Sequence, residues 1–203
     1  TPFYDSWSLD AWIIASDGQS LFPSRLPDVS QRISTDGNLA ITTQMPKENV
    51  SLSTRVEVVG ELGSPVCQIS LTGCSKGKAR LAVALRPYNP EGVSFIHDIA
   101  WFKDSKGWVI NDENFIYFRD TPEQFAFSNY HKGDVFSHLP SVDEKTVGMN
   151  EGGLRSAIHC EVGMATAVAL FPLQANEEEN ICIHIPLTKN HKKETLSFTT
   201  AAT

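Results

Sequence analysis

Apolar and polar residues alternate with a period of two along much of the chain, the spacing that lays one apolar stripe on one face of a strand. Between Ala79 and Arg86, Leu81, Val83 and Leu85 are separated by Arg80, Ala82 and Ala84. Pro87, Pro90 and Gly92 then remove backbone donors and permit unusual dihedrals, so the chain has to leave the sheet and turn. Alternation resumes after the turn. It predicts Phe95, His97, Ile99 and Trp101 on one face and Ile96, Asp98, Ala100 and Phe102 on the other. Ala79 to Trp101 therefore reads as strand, corner and strand, with Arg86, Asn89, Glu91, His97 and Asp98 gathered at the corner.

The same pattern recurs on either side. Val29 to Ser34, Asp36-Gly37 and Asn38 to Met45 form a hairpin signature, with Leu39, Ile41, Thr43 and Met45 expected to face inward. Val50 to Val59 and Val66 to Thr72 read as strands, and the polar turns at 104–107 and 111–114 divide the next stretch into a three-stranded meander. Phe125 to Tyr130, Arg155 to Val162, Ile181 to Leu187 and Leu196 to Thr200 add further strands. Met164 to Phe171 is apolar at successive positions, which predicts a central strand covered on both faces. Residues 1–28 hold Phe3, Tyr4, Trp7, Trp12 and Phe22 with weak periodicity and read as an aromatic arm along the body. Residues 138–153 read as a long surface loop, and 176–180 as an acidic turn. No segment keeps the three-and-four spacing of a helix. The expected fold is all-β: a large antiparallel two-sheet β-sandwich with little helix, formed by residues 1–203 as one domain.

Composition narrows the function. The chain has 203 residues, of which 41% are hydrophobic and 20% charged, with a net charge of -7. That balance argues against a nucleic-acid partner and against a surface held to anionic lipid, both of which need clustered Lys and Arg. No apolar run approaches the roughly 20 residues that span a bilayer, so no membrane partner is expected. A first residue of Thr predicts a processed chain or a segment of a longer one. The four cysteines, Cys67, Cys74, Cys160 and Cys182, read as small buried hydrophobes in a reducing cytoplasm; a Cys67–Cys74 bridge would need a tight hairpin between them. Six scattered histidines show no metal spacing, and the phosphate-loop, dinucleotide and hydrolase-elbow motifs are missing, so no metal or cofactor is expected.

Acid–base chemistry needs two groups in one cavity, and Glu91, His97 and Asp98 are the close set. Strict alternation points His97 and Asp98 to opposite faces unless a bulge intervenes. Carbohydrate recognition needs aromatic faces beside planar polar groups, for which Arg86, Tyr88, Asn89, Glu91, His97 and Trp101 are the candidates. The structural alternative has Arg86 pairing with a carboxylate to hold the corner.

The strand Leu81-Ala-Val-Ala-Leu85, followed by Arg86-Pro-Tyr-Asn-Pro-Glu-Gly92 and an Ile-His strand, resembles the galactose-mutarotase-like supersandwich. That domain precedes the (α/α)6 six-hairpin barrel in bacterial glycosidase-like proteins. Lys132-Gly133-Asp134-Val135 and the run from Asn180 to Leu187 agree with it, and the similarity covers residues 29–187. In such proteins the catalytic carboxylates belong to the helical barrel. The resemblance therefore implies a noncatalytic domain with a scaffold or substrate-recognition role and a helical-barrel neighbour in the same protein. It predicts an apolar patch left exposed on one face. A free-standing sugar-binding module would instead line a groove with Trp7, Trp12 or Trp101, and a mutarotase-like epimerase would bring His97 and Glu91 into one cleft.

Overall fold

The computed structural model describes residues 6–16, 20–60, 63–139 and 155–188. The strands are β1 (Ser8–Ala15), β2 (Ser30–Ser34), β3 (Ala40–Pro46), β4 (Val50–Val59), β5 (Val66–Ser75), β6 (Ala79–Arg86), β7 (Tyr88–Asn89), β8 (Gly92–Val93), β9 (Asp98–Phe102), β10 (Gly107–Ile110), β11 (Asn114–Phe118), β12 (Gln124–Ser128), β13 (Arg155–His159), β14 (Thr166–Leu173) and β15 (Glu178–Pro186). Among the described residues the only helical turns are two short 3-10 segments, Pro23–Arg25 and Val135–His138. The all-β expectation holds.

Four strands in the order β1-β6-β14-β12 make one layer of the sandwich, nine in the order β13-β9-β10-β11-β15-β5-β4-β3-β2 make the other, and β7 and β8 pair by themselves. The strand pairs within both are antiparallel. Leu81, Leu85 and Phe171 from the small sheet meet Ile99, Trp108, Ile110, Ile116 and Phe118 from the large one, all of them buried. Phe118 sets its edge against Trp108 with ring centroids 5.0 Å apart, and Trp101 stacks on Phe125 at 4.9 Å. Such pairs add to the gain from burying their area.

The small sheet is covered a second time on its outer side. Trp12, Ile14, Ala82, Ala84, Val168 and Leu170 form a separate cluster there, under Phe22, Val135 and Phe136. Trp12, Phe22 and Phe136 pack edge to face with one another, and the Arg25 guanidinium lies 5.2 Å and 5.0 Å from the Phe22 and Phe136 rings. Double cover explains the continuous apolar run in β14, which lies between β6 and β12. It also corrects the reading of the amino-terminal region. Ser8 to Ala15 is an edge strand in register with β6, from Ser8 opposite Arg86 to Ala15 opposite Ala79. Its periodicity is weak because both of its faces are buried from Trp12 to Ala15.

Two other expectations shift. Val66 to Ser75 is one continuous strand, so the hairpin needed for a Cys67–Cys74 bridge is absent and all four cysteines are free thiols. The acidic turn is shorter than expected, since Glu178, Glu179 and Asn180 already pair with Cys74, Gly73 and Thr72. The strand expected at 196–200, and all but His138 and Leu139 of the loop expected at 138–153, lie outside the described residues.

The hairpin of β2 and β3 departs more informatively. Thr43 and Met45 line a cavity of about 300 Å³ between the sheets, together with Leu9, Ala11, Val56 and Ile69. Ile41 shares their face by the two-residue period, and Ile33 stands opposite Ile41, which stands opposite Val56. This face does point toward the small sheet, as the alternation requires. The small sheet, however, ends at β1, whose contacts in the large sheet are with β4 and β5. Leu39 and Ile33 are consequently 64% and 68% exposed, and Ile41 and Val58 are exposed beside them.

The two environments predict opposite responses. Phe118→Ala should lose about 3–5 kcal/mol through the cavity it leaves, whereas Ile41→Thr on the uncovered face should change stability by less than about 1 kcal/mol. Urea denaturation of the two variants beside the parent chain measures both.

Candidate functional site

The polar corner is where the chain crosses from the small sheet to the large one, and the crossing separates its residues. Arg86 ends β6 on the outer side of the small sheet. Its Nη1 donates to Asp10 Oδ2 at 3.1 Å and its Nε to Asp134 Oδ2 at 3.1 Å. The Tyr88 hydroxyl donates to the same Asp134 oxygen at 2.8 Å, and Asp134 Oδ1 accepts from the Phe136 N–H, capping the 3-10 turn at Val135. The guanidinium also lies 4.7 Å from the Tyr88 ring and 5.7 Å from the Trp12 ring. Burial alone would lower the Arg86 pKa, but the bonds to Asp10 and Asp134 outweigh it and raise the value. Burial and the bond to Asp134 likewise raise Tyr88.

Asn89 is used by the backbone. Its Oδ1 accepts from the Glu91 and Gly92 N–H groups at 2.8 and 3.0 Å, and its Nδ2 donates to Ser6 O. Glu91 is exposed at the tip of the β7–β8 turn. Arg86, Tyr88 and Asn89 therefore hold the corner and tie it to β1 and to the 3-10 turn.

Trp101, Trp7 and Trp12 are buried, so none offers a ring face to solvent. Neither Glu91 nor His97 lines the cavity between the sheets. Among the described residues no three His, Cys, Asp or Glu side chains converge where a metal ion could sit.

On the large sheet the chain re-enters with an irregularity. The N–H groups of His97 and Asp98 both donate to Asn111 Oδ1, at 2.8 and 3.1 Å, an arrangement that places one extra residue in the strand as a bulge does. Ile96 and Ile99 are both fully buried, three positions apart, so the alternation has slipped by one between them. The expected faces are corrected accordingly: Phe95, His97 and Asp98 point outward together, while Ile96, Ile99 and Trp101 point inward.

The slip creates a cluster on the outer face. Asp98 stands opposite His159 on β13, and its Oδ1 accepts from His159 Nδ1 at 2.8 Å. His97 Nδ1 donates to the Cys160 carbonyl at 3.1 Å, and its ring stacks near-parallel to that of Phe95, with centroids 6.1 Å apart. Both imidazoles are thereby held in the Nδ1–H form when neutral, with Nε2 left as the acceptor. Asn111 completes the frame by donating from Nδ2 to Phe95 O at 3.1 Å. Phe95, Asn111 and His159 had no mark in the sequence beyond residue type, because what joins them is the bulge and a pairing between strands 61 residues apart.

Two measurements check these assignments. Arg86→Met should cost about 2 kcal/mol in urea denaturation, discounted for partial exposure, because it strands two carboxylates. His184, whose Nε2 lies 3.0 Å from Gln68 Oε1, has its pKa lowered by burial and then by Arg119. A lowered folded value means the unfolded chain takes the proton first. Stability is therefore full above the ordinary histidine pKa of about 6.5 and falls as pH drops from there toward the folded value. His184→Gln should remove that part of the decline in a stability profile across acid pH.

No family model matches the chain, and no curated protein matches it in sequence. A solved structure of a bacterial glucoamylase complexed with acarbose does match in shape, with a TM-score of 0.56 at 8% sequence identity. The likeness covers 89% of this chain and 27% of the glucoamylase chain, so this chain spans about a quarter of the length of the protein it resembles. At that identity the shared property is the β-sandwich fold.

Proposed function

We propose that this chain is a noncatalytic β-sandwich domain of a larger carbohydrate-active protein, acting as a scaffold through contact with a neighbouring domain of the same polypeptide. The observation that carries the reading is the inner face of β2, β3 and the end of β4, which no other described residues cover. Ile33, Leu39, Ile41 and Val58 are exposed there as one apolar surface beside an apolar cavity. Isolated apolar side chains on a surface are ordinary, whereas a contiguous set next to an open core is the mark of a face that another body covers. The share of the glucoamylase chain that the likeness spans supports a neighbour in the same polypeptide, and a helical barrel is the neighbour the sequence resemblance implies.

The corner supports a scaffold as well. Arg86, Tyr88 and Asn89 are bonded to Asp10, Asp134, Ser6 and their own turn. Groups committed in this way hold a domain in shape and are poorly free to reorganise around a reacting sugar.

The test is the intact mass of the native polypeptide, captured from its source with an antibody raised against this chain. The expected mass exceeds 22.4 kDa by that of at least one further domain. Ile33→Lys with Ile41→Lys should then loosen that domain, seen as faster cleavage between the two in limited proteolysis. A native monomer of 22.4 kDa would overturn the reading.

A further inference from the structure

We infer that the cavity between the sheets binds an extended peptide segment, which pairs with the free edge of β1 and carries a basic residue between two apolar ones. The backbone of β1 supplies the first observation. Ile13 exchanges both of its backbone hydrogen bonds with Leu21, at 3.0 and 2.8 Å, and Ala15 N–H donates to Ser20 Oγ at 3.1 Å. The backbone groups of these two residues therefore point away from β6, and by the antiparallel alternation those of Leu9 and Ala11 point the same way. β1 ends its sheet, and Leu9 and Ala11 have no backbone partner on that side among the described residues. Each leaves one N–H and one C=O to be met, at the two-residue spacing of a ladder.

The same edge lines the cavity. Asp10 and Trp12 are among its lining residues, yet their side chains lie on the outer face of the small sheet, Asp10 on Arg86 and Trp12 against Phe22 and Phe136. They reach the cavity through their backbone. Met45, Val56 and Ile69 line it from the large sheet, and its volume of about 300 Å³ is that of a small ligand site. A row of unpaired backbone groups beside apolar walls selects a peptide, because an extended chain brings a matching row and sends alternate side chains to one side. The side chains opposite Leu9 and Ala11 enter the cavity, while the one between them faces Asp10 on the outer side. Arg86 is shared there by Asp10 and Asp134, which leaves these three groups with one net negative charge. A lysine or arginine at that position complements it.

For its source the inference rests on the neighbouring domain proposed above, one strand of which fills the cavity beside the apolar face. The experiment does not need that domain. The 203-residue chain is isotope-labelled, titrated with an acetylated and amidated heptapeptide of alternating lysine and valine, and followed by amide exchange NMR. Without peptide, the Leu9 and Ala11 amides should exchange fast while those of Asp10 and Trp12, which face β6, are protected. Millimolar peptide should slow exchange at Leu9 and Ala11 about tenfold or more and leave the amides on the open edge of β2 unchanged. Serine in place of valine, glutamate in place of lysine, or methylated peptide nitrogens should each abolish the slowing. Ala11→Pro removes an outward N–H but none of the donors to β6, and should abolish the slowing at Leu9 while Asp10 and Trp12 stay protected. Slowing that survives the serine or methylated peptide overturns the inference, as does protection of Leu9 and Ala11 that rises with the concentration of the chain alone, the mark of a second copy on this edge. No slowing at Leu9 and Ala11 overturns it whatever the native mass, and a native mass of 22.4 kDa overturns the domain reading whatever the peptide does, so the two failures are told apart.

Discussion

A nine-stranded sheet packed against a four-stranded one cannot be covered by it, and most of the molecule's particular features follow from that mismatch. Each apolar sheet face has to lie against something, since burial is the dominant favourable term in folding. The small sheet satisfies the condition twice, with the large sheet on one side and the Phe22, Val135 and Phe136 layer on the other. Small residues make the double packing feasible: Ala82, Ala84, Ala167 and Ala169 are fully buried in its two central strands. The large sheet meets the condition only in part, and among the described residues its β2–β3 end keeps an apolar face without a covering strand.

This division decides what could be read from the sequence. The period of two located the sheet elements, the meander and the doubly covered β14, because each of those depends on the chemistry of a short window. It also gave the correct face for Leu39, Ile41, Thr43 and Met45. What it could not give was cover. Whether an inward face meets another sheet depends on how many strands the partner has and where it stops, which no local window contains. β1 shows the converse: a genuine strand whose apolar residues on both sides hid its period until the second layer explained them.

The candidate site divides along the same line. Pairing of Arg86 with a carboxylate was legible as a type of interaction, because a half-buried guanidinium needs one. Its partners Asp10 and Asp134 lie 76 and 48 residues away, and only the fold brings them there. The outer cluster was less legible still. A strict alternation separates His97 from Asp98, and the bulge that unites them is held by the side chain of Asn111, from the turn between β10 and β11.

The corner and the bulge are two consequences of one crossing. To leave the small sheet, the chain gives up ladder hydrogen bonds at Pro87 and Pro90, and Arg86, Tyr88 and Asn89 replace them with side-chain bonds. To enter the large sheet it must place Ile96 and Ile99 in the core, three positions apart, which a regular strand cannot do. The extra residue resolves the conflict by turning His97 and Asp98 outward together. Core packing therefore forces two titratable side chains to share one face, beside an aromatic ring that Gly163 leaves room for. A polar cluster generated in this way needs no catalytic history to exist, because the packing of Ile96 and Ile99 is reason enough for it.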